Sequence, residues 1–219
     1  AVGDCYDPDP AVPEDLSLRA VALAEASGDP GALADAITGR VLAFVGCATS
    51  SVERVALLER LVALDHAQSP LDVVLRHNAL TMELLTLGDA LGAAVHLAEG
   101  ERASDRLRLP TTRVQLRWMA ATLAQWRGEL DESAALARRA AELHGAVELY
   151  DGGTTAFIGA VLRRDAGTLA GEEALLATMQ DEAVWRVAAA QESGDHAAVR
   201  AGLAELVPVT GPFWWTTLA

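Results

Sequence analysis

The chain has 219 residues, with 31 acidic against 17 basic side chains and a formal charge of -14; every basic residue is arginine. That length supports a sizeable hydrophobic core. The acidity argues against direct nucleic-acid binding, which needs a basic face to displace counterions. The lack of lysine excludes a P-loop lysine, a Schiff-base lysine and a lysine general base.

Alanine and leucine make up about a third of the chain and aromatics 5%, a helical bias. Residues 1–13, AVGDCYDPDPAVP, carry three prolines and three aspartates and read as a flexible lead-in. A helix is expected near 14–27. Pro30, Pro70 and Pro110 then stand forty residues apart, each opening an apolar segment. Proline suits the first helical turn, where its missing N–H costs nothing. In the next place stand Tyr150 and Asp151, the latter a helix-capping residue. Closing signals keep the same pace at Leu87-Gly88-Asp89, Arg127-Gly128-Glu129 and Ala166-Gly167-Thr168. Glycine just past a helix end supplies the left-handed cap.

Each unit is therefore predicted to be helix, tight turn, helix. First helices are expected near 30–46, 70–87, 110–127 and 151–166. Second helices are expected near 50–67, 89–107, 130–147 and 171–180. A shorter pair follows at 182–193 and 195–206, joined by Ser193-Gly194-Asp195, and Pro212 opens a last segment. Within 130–147, Leu136, Ala140, Leu143 and Val147 make one apolar stripe, with Arg138, Arg139 and Glu142 elsewhere on the wheel. No run alternates as a strand does. The fold class expected is all-α: a stacked α-solenoid occupying 14–219, with a period of about 40. The apolar ending FWWTTLA suggests a segment cut from a longer protein, within a further helix.

The segment Gly128–Leu143, GELDESAALARRAAEL, resembles the second-helix signature of a tetratricopeptide repeat. Gly128 takes the turn, and Ser133, Ala137 and Ala140 take the small inner positions. Residues 23–40, 84–91, 108–143 and 212–219 are similar to the C-terminal helical region of large actinobacterial transcriptional regulators. These are the LuxR-type and antibiotic-regulatory activators that also carry a signal-transduction ATPase. The resemblance implies a right-handed α-solenoid of antiparallel helix pairs, and the apolar ending implies truncation at its C-terminus. It implies a non-catalytic protein-interaction or effector-sensing module. A standalone adaptor and a small all-helical enzyme with a dispersed site are the alternatives.

Few residues point to chemistry. His66, His77, His96, His144 and His196 include no pair at the spacing that puts two ligands on one helix face; they read as exposed or core-edge residues. Cys5 and Cys47 form no CxxC pair, and Cys47 reads as a small buried residue. Asp4, Asp7, Asp9, Glu14 and Asp15 read as a solvated acidic tail. Glu172 and Glu173 favour a helix dipole. Ser50 and Ser51 read as N-caps with Glu53 three residues on. Gly152-Gly153-Thr154-Thr155 reads as an interhelical turn. No catalytic residue, cofactor or metal is expected.

In tetratricopeptide arrays the first helix of each pair lines a concave groove. Carried to this sequence, that places Asn78, Met82, Gln115, Trp118, Thr122, Phe157 and Arg164 on the binding surface. The expected partner is a protein or peptide, or the upstream ATPase domain of the same chain, with a small-molecule effector as a further possibility. Neither nucleic acid nor membrane is expected, and the default compartment is the cytoplasm. Trp214 and Trp215 would pack on a following repeat.

Overall fold

The computed structural model describes residues 11–43, 51–64, 69–107, 109–145, 153–177 and 182–205. Among them are eleven α-helices, one short 3₁₀ turn and no strand. The helices are α1 (Ala11–Ser27), α2 (Pro30–Ala43), α3 (Ser51–Ala63), α4 (Pro70–Thr86), α5 (Ala90–Leu107), α6 (Pro110–Trp126), α7 (Leu130–Gly145), α8 (Gly153–Asp165), α9 (Glu173–Leu176), α10 (Glu182–Glu192) and α11 (His196–Glu205). No helix of the described residues is long and apolar enough to cross a membrane. The chain divides into two compact units, one carrying α1–α5 and the other α6–α11.

One local device recurs. Gly28, Gly88, Gly128, Gly167 and Gly194 all have φ between 67° and 79°. L side chains pay about 1–2 kcal/mol for that conformation, and glycine does not. At Gly88 the amide bonds to the Leu85 carbonyl at 3.0 Å and the Asp89 amide to the Leu84 carbonyl at 2.8 Å. This is the paired capping of a Schellman turn. The same two bonds recur at Gly128, Gly167 and Gly194. The next residue then starts the following helix. The Asp89 carboxylate accepts from the Gly92 amide at 2.8 Å, Asp29 from Gly31 at 2.8 Å, and Asp195 from Ala197 and Ala198 at 3.1 and 3.0 Å. A Gly-Asp dipeptide thus ends one helix and caps the next.

The three densest helix contacts follow these turns, joining α4 with α5, α6 with α7, and α1 with α2; α10 and α11 also pack across theirs. Helix α1 is therefore the turn-mate of α2, although the period assigned α2 to α3. The Gly28-Asp29 turn is short enough to fold α2 straight back, whereas residues 44–50 separate α2 from α3. The helix expected over 171–180 is shorter: a 3₁₀ turn at Leu169–Gly171 and four residues of α9. The Glu192 carboxylate of α10 receives the Leu169 and Ala170 amides at 3.0 and 3.3 Å, holding this turn in place. Pro13, from the expected lead-in, is buried in the first turn of α1.

The core of the first unit gathers Ala34, Ile37, Leu58, Leu61 and Leu80 from α2, α3 and α4. Burying each large aliphatic side chain contributes about 1.5–3 kcal/mol. In the second unit Val114, Trp118 and Ala140 form one cluster, and Ala121, Ala124 and Leu136 another. Of the small positions that the resemblance puts on the inner face, Ser133 and Ala140 are buried and Ala137 is half-buried, packed on α6.

Expectations on Asp4, Cys5, Asp7, Asp9, Cys47, Ser50, His66, Tyr150, Asp151, Gly152, Pro212, Trp214 and Trp215 lie outside the described residues. So do those on the side chains of His144, Thr154 and Thr155.

Candidate functional site

Helix α4 carries most of the polar chemistry of the first unit. It begins with a reciprocal capping box: the Ser69 hydroxyl accepts from the Asp72 amide, and the Asp72 carboxylate from the Ser69 amide, each at 3.2 Å. Residues 71, 75, 78 and 82 share one helix face by their four- and three-residue steps. On that face Leu71, Leu75 and Met82 are 38%, 44% and 47% exposed. Asn78, between them, is half-buried. Its side-chain carbonyl oxygen is buried and accepts no hydrogen bond from the described residues. A buried acceptor without a donor is costly. Of the seven expected groove residues, Asn78 and Met82 belong to this face.

The opposite side of α4 holds charge against its neighbours. The Arg54 guanidinium of α3 lies 3.0 Å from the Glu83 carboxylate, with Glu83 only 5% exposed. Arg76 is buried and reaches towards the Leu61 carbonyl at 3.5 Å. Burial lowers its pKa, with Asp72 and Asp35 opposing; an arginine so placed stays charged. Arg40 of α2, 4% exposed, donates to the Glu14 carbonyl, the Ser17 hydroxyl and the Glu53 carboxylate at 3.3, 3.0 and 3.0 Å. It ties α1, α2 and α3 together.

Towards α5, the Nδ1 atoms of His77 and His96 approach to 3.0 Å. The ring centres are 5.2 Å apart and the planes inclined by 30°. The centres are separated by the nitrogen distance plus almost two ring radii, so the nitrogens face each other nearly head on. One ring must carry its proton on Nδ1 and the other must offer a lone pair. His77 has a lowered pKa. Burial is the main cause, the neighbouring His96 and then Arg102 act the same way, and Glu99 opposes them. Glu99 and Arg102 are themselves paired at 2.6 Å.

Spacing along a single helix does not reveal this histidine pair, because the partners are nineteen residues apart. A signal was present in the turn: His77 lies eleven residues before Gly88 and His96 eight after it. A tight reversal brings positions at such similar distances level. No cluster of three or more His, Cys, Asp or Glu able to hold a metal occurs among the described residues.

The other five expected groove residues lie in the second unit, with different surroundings. Trp118 is 8% exposed and packs with Val114, Ala140, Met119, Leu143 and Ile158, so little of its ring is offered to a ligand. Gln115 is half-buried on the same helix. The Thr122 hydroxyl donates to the Trp118 carbonyl at 3.0 Å. Phe157 sets its ring against Trp185 at 5.4 Å and 81°, the edge-to-face arrangement that aromatic quadrupoles favour. Arg164 pairs with Asp165 at 3.1 Å, and Asp165 also receives the Gln125 amide of α6. An open cavity of about 440 Å³ lies elsewhere in this unit, lined by Ala170, Glu173, Leu176, Arg186, Ala189, Ala190 and Ser193.

No protein-family model, curated protein or solved structure matches the chain.

Proposed function

We propose that the chain is a non-catalytic interaction module built as a tetratricopeptide-like array of antiparallel helix pairs. Its role is to engage a protein or peptide partner, or an effector, for a bacterial transcriptional regulator. One observation carries this reading: the same glycine-ended turn joins helix after helix, with Gly88, Gly128 and Gly167 at steps of forty and thirty-nine. A chain that repeats one supersecondary unit builds an extended surface. The α4 face supports a binding role, because Leu71, Leu75 and Met82 offer exposed apolar contact there. A peptide that lays apolar side chains on this face answers that need. The overall acidity fits a module whose parent leaves DNA contact to another domain.

The test is peptide selection from a display library on the wild-type chain, followed by calorimetry on the selected peptides. Binding should be lost in a Leu75→Glu/Met82→Glu variant whose circular dichroism is unchanged. Equal binding by both chains would remove the α4 face from the reading. The coding sequence upstream of Ala1 tests the regulator context. DNA-binding and ATPase modules there support it, and their absence favours a standalone adaptor.

A further inference from the structure

We propose that the His77–His96 pair is a proton-operated latch between α4 and α5, closed while the pair holds at most one added proton and opened when both rings are protonated. The geometry sets the rule. With both imidazoles neutral, one Nδ1–H donates to the facing Nδ1 lone pair across 3.0 Å. With one proton added, an imidazolium donates and the neutral ring accepts, and the bond becomes charge-assisted. With two added, both facing nitrogens carry protons. No acceptor remains, and two like charges confront each other at hydrogen-bond distance. Because α5 follows α4 through the Gly88 turn, that repulsion acts directly on the helix pair.

The surrounding charges leave this rule in force. On α5, Glu99 favours protonation of His77, but Arg102 is paired with Glu99 and opposes it. On α3, which packs against the other side of α4, Arg54 is engaged by Glu83. Glu53 and Arg60 of α3 pair with Arg40 and Glu25, and Glu59 is exposed. On α4 itself Arg76 is directed at α3. The 3.0 Å between the two Nδ1 atoms leaves no room for a third group between them.

The sign follows from linkage. The folded pKa of His77 is lowered from its ordinary value of 6.5. The unfolded chain therefore takes up the proton first as pH falls. Stability is intact above that value and declines as pH drops from it towards the lowered one.

The experiment is an imidazole nitrogen NMR titration of the intact chain, with amide exchange along α4 and α5. The pair should load its two protons in separate steps, more than about one pH unit apart. Amide protection along α4 and α5 should fall with the second step. The thermal midpoint should drop by about 3 °C or more between roughly pH 7.5 and 5.5. His96→Gln keeps a side-chain amide to donate to His77 but cannot take a proton, so at least half of that drop should vanish. Independent single-step titration of both rings would overturn the proposal, and so would α4–α5 protection that is the same at both pH values. The NMR titration needs no variant, so a misfolded substitution leaves the test standing.

Discussion

Ser133 is fully buried and donates its hydroxyl to the Ala121 carbonyl at 2.7 Å, joining α7 to α6. Only a small side chain allows that approach. The hydroxyl meets a carbonyl of the facing helix, so the inner seam of this pair is specified by size and by a polar contact together.

Ser133→Ala should cost about 0.5–1.5 kcal/mol, the net worth of one hydrogen bond. Ser133→Leu should cost more, about 1–3 kcal/mol or above, because added methylenes force the helices apart. Denaturant unfolding followed by tryptophan fluorescence reads both, through Trp118, Trp126 and Trp185 of the second unit. A leucine variant no weaker than the alanine one would show that the seam is loosely packed.

The Arg54–Glu83 pair calls for a mutant cycle. Arg54→Met strands a carboxylate that is 5% exposed, and should cost about 3–5 kcal/mol. Adding Glu83→Leu removes the stranded charge and should recover most of that loss. Additive losses from the two substitutions would mean that the carboxylate is well solvated after all.

Gly128→Ala should destabilise the second unit by about 1–2 kcal/mol, purely from the backbone at φ 75°. A Cβ there would meet no atom within 4 Å, so the effect separates conformational cost from steric clash. Gly128→Asn should be milder, since asparagine tolerates this region better. Thermal midpoints of the two variants provide the comparison.

Phe157→Leu should cost about 0.5–1.5 kcal/mol beyond the lost area, the value of an edge-to-face aromatic pair. Near-ultraviolet circular dichroism should lose part of its Trp185 signal. An unchanged spectrum with unchanged stability would return Phe157 to the list of residues available for binding.

The helices themselves were legible because their causes are local. A proline in the first turn, a glycine past the last and an acid after it each act within a few residues. Most boundaries could thus be read to within a few positions. The region after Gly167 was less legible: apolar text at 171–180 looked helical, but the turn there takes its shape from Glu192, over twenty residues on. The candidate site was less legible still. Asn78 and Met82 were reached by counting along one helix. The distinction between Met82, 47% exposed, and Trp118, 8% exposed, depends on neighbours that counting does not supply.

By itself, then, the sequence determined the helical class and the punctuation at Gly88, Gly128, Gly167 and Gly194, while the resemblance to a tetratricopeptide signature pointed to the small positions Ser133, Ala137 and Ala140. The class and the punctuation follow from backbone conformation and helical period, which need no partner. Only the tertiary structure decided that His77 meets His96, that Arg54 meets Glu83, and that Arg40 gathers acceptors from α1 and α3. Such meetings depend on how far one helix is rotated and slid against the next. Summed packing and desolvation set that offset, and no short motif encodes it.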